Sequence, residues 1–216
     1  NINGRGYGFF KITEGESSGL WSVLRSSEDE VMKGSLLITL YENLRWKTIS
    51  PQGFRDEMLA YLPNESNSLL FSMALSYLGD CQRIFPSDSR PLEQALWKIV
   101  TTNPVSQHRL QAFRLYRSIA DSEEAVQRLY TLWQERKAPK DCTLSESDYI
   151  GLSYILAMHL PEKADKIIAT QLSRIQNPDR KKEYQFISPS VSPRKAERDS
   201  VFASLLIAGN RRVEPW

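Results

Sequence analysis

The chain has few of the side chains with which enzymes hold metal ions or attack substrates. Its 216 residues include only two histidines and two cysteines. A catalytic zinc ion needs about three protein ligands close together, and the sequence contains no HExxH pair. It also lacks the G-x-S-x-G turn of serine hydrolases and any cysteine with a histidine next to it. We therefore expect no catalytic residue, no metal site and no cofactor in this chain.

The few histidines and cysteines lie in sequence settings that favour structural roles. His159 stands between Met158 and Leu160, and both histidines are predicted to be packed or partly exposed residues on helices. Cys81 falls on the apolar side of a helical pattern, where a free thiol behaves as a small buried hydrophobe. Two cysteines cannot make a disulfide framework, so they do not decide the redox compartment.

Long apolar runs and an excess of either charge are also missing. Lys and Arg total 28 against 26 for Asp and Glu, which leaves a net charge of +2. Nucleic-acid binding proteins have a concentrated basic face, and a membrane-spanning helix needs roughly 20 apolar residues in a row. We therefore expect a soluble chain without nucleic-acid partner or membrane span. Asn1–Gly4 has no initiator Met or leader pattern, so the chain is predicted to be a fragment, and any signal peptide is expected upstream of it. The compartment, cytoplasmic or periplasmic, stays open.

Apolar residues recur at helical spacing over nearly the whole chain. Leu36, Leu40 and Leu44 are one such stripe, and short turns rich in Pro and Ser separate it from the next. About nine or ten segments follow this pattern, and short connections favour antiparallel neighbours. No fixed repeat period is present. The pattern predicts an all-α fold, a loose superhelical stack of antiparallel helix pairs similar to HEAT or armadillo arrays.

Local signals predict where several helices begin and end. Ser50-Pro51 is expected to begin a helix and Asn177-Pro178 to end one. A capping box places Ser, Thr or Asp three residues before an acidic residue, so that each side chain accepts a hydrogen bond from the other residue's amide. Three such boxes are predicted: Ser27 with Glu30, Asp121 with Glu124, and Ser145 with Asp148.

The first segment differs from the rest. Residues Tyr7–Thr13 are rich in aromatic and β-branched residues and are predicted to form a short strand. One strand is unstable alone, so its pairing partners are expected in a longer parent protein. The glycines of Gly4–Gly8 precede this strand and do not join a strand to a helix. They are therefore predicted to form a turn and not a phosphate-binding loop.

A basic segment lies near the C-terminal end. Arg180 lies within Asp179–Ser192, a polar stretch with prolines that is predicted to be irregular, and Arg194 and Arg198 follow it. Such a segment can receive an anion, for example the C-terminal carboxylate of a peptide, because arginine binds carboxylates through two parallel hydrogen bonds. The alternative is a solvated helix face whose cations pair with nearby acidic residues.

The opening Asn1–Ile12 resembles a stretch of zinc aminopeptidases of the aminopeptidase N family, where an Asn-x-x-Gly-x-Gly-aromatic strand ends a small β-sandwich domain. Arg198–Phe202 and Asn210–Trp216 look like the late helices of bacterial members of that family. The resemblance covers nearly the whole chain. It implies that residues 1–15 are strand and linker from the β-sandwich and that residues 16–216 are a C-terminal helical lid domain. Family members usually continue beyond the position of Trp216.

The resemblance also implies a division of labour. In these enzymes a separate domain carries the HExxH zinc site and removes N-terminal residues from peptides, while the helical domain covers the active site and encloses the peptide chamber. The implied partners are the catalytic and β-sandwich domains of the same polypeptide and the peptide substrate. Arg180, Arg194 and Arg198 become substrate-binding candidates by location and charge, without a matched motif.

Two other classes of protein remain open at this stage. A free-standing helical-repeat scaffold would bind a protein or peptide on its concave face, but the initial strand has little purpose in such a scaffold. An enzyme whose site is assembled from scattered residues is disfavoured by the small number of His and Cys residues.

Overall fold

The computed structural model describes residues 9–211, and within that range every regular element is helical. The all-α prediction is thereby confirmed. Short 3-10 turns occur at Leu62–Asn64, Pro161–Lys163 and Ser188–Val191. The α-helices are α1 (Glu14–Ser26), α2 (Glu30–Arg45), α3 (Pro51–Tyr61), α4 (Ser68–Ile84), α5 (Arg90–Thr102), α6 (Ser106–Ile119), α7 (Glu123–Glu135), α8 (Glu146–His159), α9 (Ala164–Arg174), α10 (Pro178–Ile187) and α11 (Lys195–Leu206). None of these helices is long and apolar enough to cross a membrane.

The chain divides into two compact units, Asn1–Ile119 and Ala120–Trp216. In unit 1, α1 packs on α2, α4 packs on α2, α3 and α6, and α5 packs on α6. The helices α4 and α6 approach closely at Gly79, where an added Cβ would lie 2.8 Å from Leu115 Cδ1. The centre of unit 1 is filled by large side chains with no exposed surface, among them Leu37, Leu40, Met58, Phe71 and Phe113.

Unit 2 is built from α7 to α11. Here α8 packs on both α7 and α9, and α9 packs on α10. The backbone N–H of Gln176, just after α9, donates to Glu146 at the start of α8 over 2.8 Å. The end of α9 therefore lies beside the start of α8, and these two helices are antiparallel. Two buried hydrogen bonds join other helices of unit 2: Trp133 Nε1 to Gln171 Oε1 at 2.8 Å, and Ser153 Oγ with Tyr184 Oη at 2.9 Å.

Some of the predicted helix starts are confirmed. The capping box of Ser145 and Asp148 is present at the start of α8, and Ser50 caps α3 with Pro51 as its first residue. The other two boxes are wrong by one or two residues. Asp29 caps α2 and Ser122 caps α7, because each box had another good capping residue beside it, and spacing alone does not choose between neighbours.

The prediction of an irregular segment over Asp179–Ser192 is also wrong. Pro178 is the first residue of α10, and Asn177 caps this helix by accepting from two backbone amides. Asn-Pro was predicted to end a helix, but the same pair suits a helix start, because proline loses no hydrogen bond at the first helical position. Tyr184 on this helix has no exposed surface, so its side chain packs the helix against the rest of unit 2.

The predicted initial strand is not confirmed. Residues 9–13 have no regular secondary structure in this structure, and Tyr7 and Gly8 lie outside the described residues. Residues 12 and 13 pack with the helices that follow them. Ile12 is 6% exposed, and Thr13 forms a capping box with Glu16 at the start of α1. The predicted domain boundary after residue 15 therefore falls inside the first helix.

Candidate functional site

The chain enters unit 1 through a backbone segment that one side chain holds in place. Asn43, near the end of α2, accepts from Ile12 N over 2.9 Å and donates to Phe10 O over 2.8 Å. The same amide donates to Thr39 O and accepts from Thr48 Oγ1, so its hydrogen-bonding groups are occupied while the residue is fully buried. Asn43 therefore fixes the course of the chain where it joins the helices.

Apolar side chains surround this entry point without being covered. Phe9 is 46% exposed and Trp46 is 66% exposed, and their ring centroids lie 5.5 Å apart. With Phe10 and Ile38 they border a groove of about 250 Å³ that reaches down to Asn43. We call Phe9, Phe10, Ile38 and Trp46 the N-terminal patch. A cluster of large exposed apolar residues is a common mark of an interaction surface.

The three candidate arginines lie at two different ends of unit 2. Arg180 is 3.3 Å from Glu146 at the start of α8. Arg194 contacts Asp165 at the start of α9, and Arg198 donates to the carbonyl of Ser192 over 2.6 Å. Because α8 and α9 are antiparallel, their first residues are separated by about the length of a helix, roughly 20 Å for 14 residues. The structure therefore brings Arg194 and Arg198 together and leaves Arg180 apart.

Two of these arginines are already paired with carboxylates. The guanidinium of Arg194 donates to both oxygens of Asp165, at 2.8 and 2.9 Å, and also to Glu197. These hydrogen bonds lower the pKa of Asp165 and raise that of Arg194. Arg180 helps in the same way to lower the pKa of Glu146, after the larger contribution of the Gln176 amide. Arg198 is exposed and has no carboxylate partner in the described part of the chain.

A groove runs beside Arg194 between α9 and the segment before α11. It has a volume of about 270 Å³, and its apolar walls are Ile168, Leu172, Pro189 and Pro193. Both oxygens of Asp165 lie at its edge under the Arg194 guanidinium. We call this feature the α9 groove. It is large enough for one side chain of a peptide and offers apolar contact more than charge.

The two histidines have the structural settings that the sequence predicts. His108 has no exposed surface; its ring stacks on Phe71 with centroids 4.0 Å apart, and its Nε2 lies 3.0 Å from Ser68 Oγ. Its Nδ1 has no hydrogen-bond partner among residues 9–211. Burial lowers the pKa of His108, and the negative charge of Glu65 offsets part of that effect. His159 lies 4.0 Å from Asp121 at the surface.

Cys81 is buried, as predicted, and burial raises the pKa of its thiol although Arg55 works in the other direction. A thiol with a raised pKa is a poor nucleophile, because the thiolate is the reactive form. Among residues 9–211 no three His, Cys, Asp or Glu side chains are placed to share a metal ion.

No model of a protein family, no curated protein and no solved structure matches this chain.

Sequence patterns did not indicate Asn43. It lies within the apolar stripe of α2, between Leu40 and Leu44, where a polar residue is the one available signal. A buried amide almost always has hydrogen-bond partners, so a partner was to be expected. The partner is the backbone of residues 10 and 12, because α1 packs against α2. The spacing of apolar residues within either helix does not predict this packing.

Proposed function

We propose that this chain is the C-terminal helical domain of a bacterial zinc-dependent aminopeptidase of the aminopeptidase N family. In that role it covers the active site, encloses the peptide chamber and helps to select peptides by length. The removal of N-terminal residues belongs to a catalytic domain of the same polypeptide, and so does the zinc ion. The resemblance of Asn1–Ile12 to the family supports this proposal, together with the helical fold.

The observation that carries the proposal is the pair of hydrogen bonds by which Asn43 holds the backbone of Phe10 and Ile12. A lid that opens and closes over an active site moves as a body, and its connection to the rest of the enzyme has to be firm on the lid side. A buried amide that holds two backbone groups of the entering chain is a junction of that kind. A free scaffold would have less need to hold the residues before its first helix so closely.

The N-terminal patch supports the same proposal. Phe9 and Phe10 belong to this patch and come just before the first helix of the unit. We propose that a β-sandwich domain of the same polypeptide covers Phe9, Ile38 and Trp46. The packed helix pairs within each unit are the elements from which a superhelical stack with a concave inner face is built.

The test uses the complete open reading frame. The purified protein is given a dipeptide substrate and a long peptide with the same N-terminal residue, and release of that residue is measured with and without a zinc chelator. We expect chelator-sensitive release. Replacing Trp46 by Ser is expected to weaken the contact between the helical domain and the β-sandwich domain, and so to change the ratio of the rates for the long peptide and the dipeptide. Leu69→Ser, at a position of unit 1 that is 76% exposed, is expected to leave this ratio unchanged. Absence of release by the complete protein would contradict the proposal.

The alternative is a free-standing helical scaffold that binds a protein or peptide. The α9 groove favours it, because its apolar walls can receive a side chain of a partner. The two proposals differ in the complete protein: a scaffold has no peptidase activity, and Trp46→Ser would then affect only binding or stability.

A further inference from the structure

Arg136 and Arg174 of unit 2 each lie on an aromatic ring, and neither contacts a carboxylate among the residues that the structure describes. Arg136 follows α7 in the left-handed backbone region, with φ 53° and ψ 34°. Its guanidinium lies 5.1 Å from the ring centroid of Tyr149 on α8. The residue is exposed, so the outer edge of the guanidinium faces solvent. A cation over an aromatic face is attracted by the negative face of the ring.

Arg174, the last residue of α9, has a matching arrangement. Its guanidinium lies 4.9 Å from the ring centroid of Trp133. It also donates to the carbonyl oxygens of Trp133 and Gln134 at 3.0 and 3.3 Å. These are carbonyls of the last turn of α7, which have no partner within the helix. Arg174 therefore holds the end of α7 beside the end of α9, close to Arg136.

The positive charges of these two arginines act on each other and on Tyr149. Burial lowers the pKa of Arg174, and the charge of Arg136 lowers it further. Burial raises the pKa of Tyr149, Arg136 and then Arg174 work against that rise, and the negative charge of Asp148 adds a smaller rise. The two guanidiniums are thus close enough to repel each other and to act on the same hydroxyl. In the described part of the chain neither one is paired with a carboxylate.

The hydroxyl of Tyr149 completes the cluster. The residue is 7% exposed, and its hydroxyl makes no hydrogen bond to another residue within 9–211. The hydroxyl oxygen is not among the buried polar atoms that lack a partner in this part of the chain, so it reaches solvent although the rest of the side chain is buried. Tyr149 therefore offers a third donor group beside the two guanidiniums. Arg174 gives two of its N–H groups to backbone carbonyls, and within residues 9–211 no carboxylate contacts Arg136 or Arg174.

We propose that Arg136, Arg174 and Tyr149 form a binding site for an oxyanion, a carboxylate or phosphate group. Guanidinium groups present pairs of N–H donors whose spacing matches two oxygens of such an anion. A bound anion relieves the repulsion between the two arginines and accepts from the Tyr149 hydroxyl. Arg180 and Arg194 differ, because Glu146 and Asp165 already occupy them. This site does not depend on the function proposed above.

The test titrates the full chain with inorganic phosphate and, separately, with acetate, at constant ionic strength balanced with chloride. Binding is followed by the Nε–Hε resonances of the arginines in NMR spectra, with assignments taken from the variants. Arg136→Gln removes one guanidinium at an exposed position, and Tyr149→Phe removes only the hydroxyl. Arg128→Gln is the matched control, because Arg128 is also on α7 but contacts Glu124. Arg174 is left unchanged, since its loss would free the end of α7.

We expect a saturable shift of the Arg136 and Arg174 resonances with one or both anions, and the anion that gives it identifies the chemical group. Arg136→Gln is expected to weaken binding by about tenfold or more, since a hydrogen bond to a charged group has this value. Tyr149→Phe weakens it less, and Arg128→Gln leaves it unchanged. No saturable shift with either anion, or equal weakening by Arg128→Gln, would overturn the proposal.

Discussion

The side-chain oxygen of Asn43 accepts from the backbone nitrogen of Ile12 over 2.9 Å, although the two residues are 31 positions apart. This hydrogen bond ties the chain in front of α1 to the end of α2. Because Asn43 also donates to Phe10 O, the segment is held on both sides of Lys11. The backbone of residues 10 and 12 is therefore tied to a fully buried side chain of unit 1.

The first prediction concerns the stability of this junction. Asn43→Ala removes four hydrogen bonds and leaves the buried amide of Ile12 without a partner, so the free energy of unfolding should fall by about 2–4 kcal/mol. Urea denaturation followed by circular dichroism measures it. The control is Asn64→Ala at an exposed position, expected within about 0.5 kcal/mol of wild type. Equal effects of the two variants would show that Asn43 does not hold the segment.

The second prediction concerns the bond between α7 and α9. Gln171 is 2% exposed and accepts from the indole of Trp133. Gln171→Leu leaves the indole N–H without an acceptor, which should cost about 1–3 kcal/mol. Adding Trp133→Phe removes that donor as well, so the double variant should lose less stability than the two single variants together. Gln127→Leu, at an exposed position of α7, is the matched control, and additive effects would contradict the bond.

The third prediction concerns pH. Burial lowers the pKa of His108 in the folded state, while in the unfolded chain a histidine titrates near pH 6.5. The unfolded state therefore takes up a proton first, and stability should be complete above about pH 6.5 and fall as the pH decreases below it. His108→Gln should remove this part of the pH dependence, whereas His159→Gln, which keeps His108, retains it. Urea denaturation at several pH values measures the slope, and an unchanged slope in His108→Gln would refute the assignment.

The fourth prediction separates the candidate arginines in the complete protein, on the aminopeptidase proposal. Arg198 has no carboxylate partner in the described residues, whereas Arg194 contacts Asp165 and Glu197. If the segment receives the far end of a peptide, Arg198→Ala should lower kcat/KM for long peptides by about tenfold, the value of one charged hydrogen bond, and leave dipeptides unchanged. Arg194→Ala should have a smaller effect. A loss that is equal for both substrate lengths would mean that Arg198 is ordinary surface.

Helix formation was predictable from the sequence, because a stripe at helical spacing and a capping residue act within a few residues of each other. Ser145 with Asp148 shows this, since both hydrogen bonds of that capping box are present. Asn177-Pro178 shows the limit. The pair suits either side of a helix boundary, and the burial of Tyr184 against Ser153, 31 residues away, decides the outcome.

The contacts that the arginines make with residues far away in the sequence were not predictable from it. The sequence left local pairing with nearby acidic residues as an alternative, and Arg194 does contact Glu197, three residues away. Its contact with Asp165 joins positions 29 residues apart, and the grouping of Arg136 with Tyr149 and Arg174 likewise depends on how α7, α8 and α9 pack. Contacts between helices follow from tertiary packing, on which the local periodicity carries little information.

The most direct test of the proposed function is the sequence of the reading frame immediately upstream of Asn1. The account predicts an in-frame HExxH with a glutamate zinc ligand downstream of it, followed by a β-rich segment that runs into Asn1. A start codon close to Asn1, or an upstream region without zinc ligands, would contradict the aminopeptidase proposal and favour the free-standing scaffold.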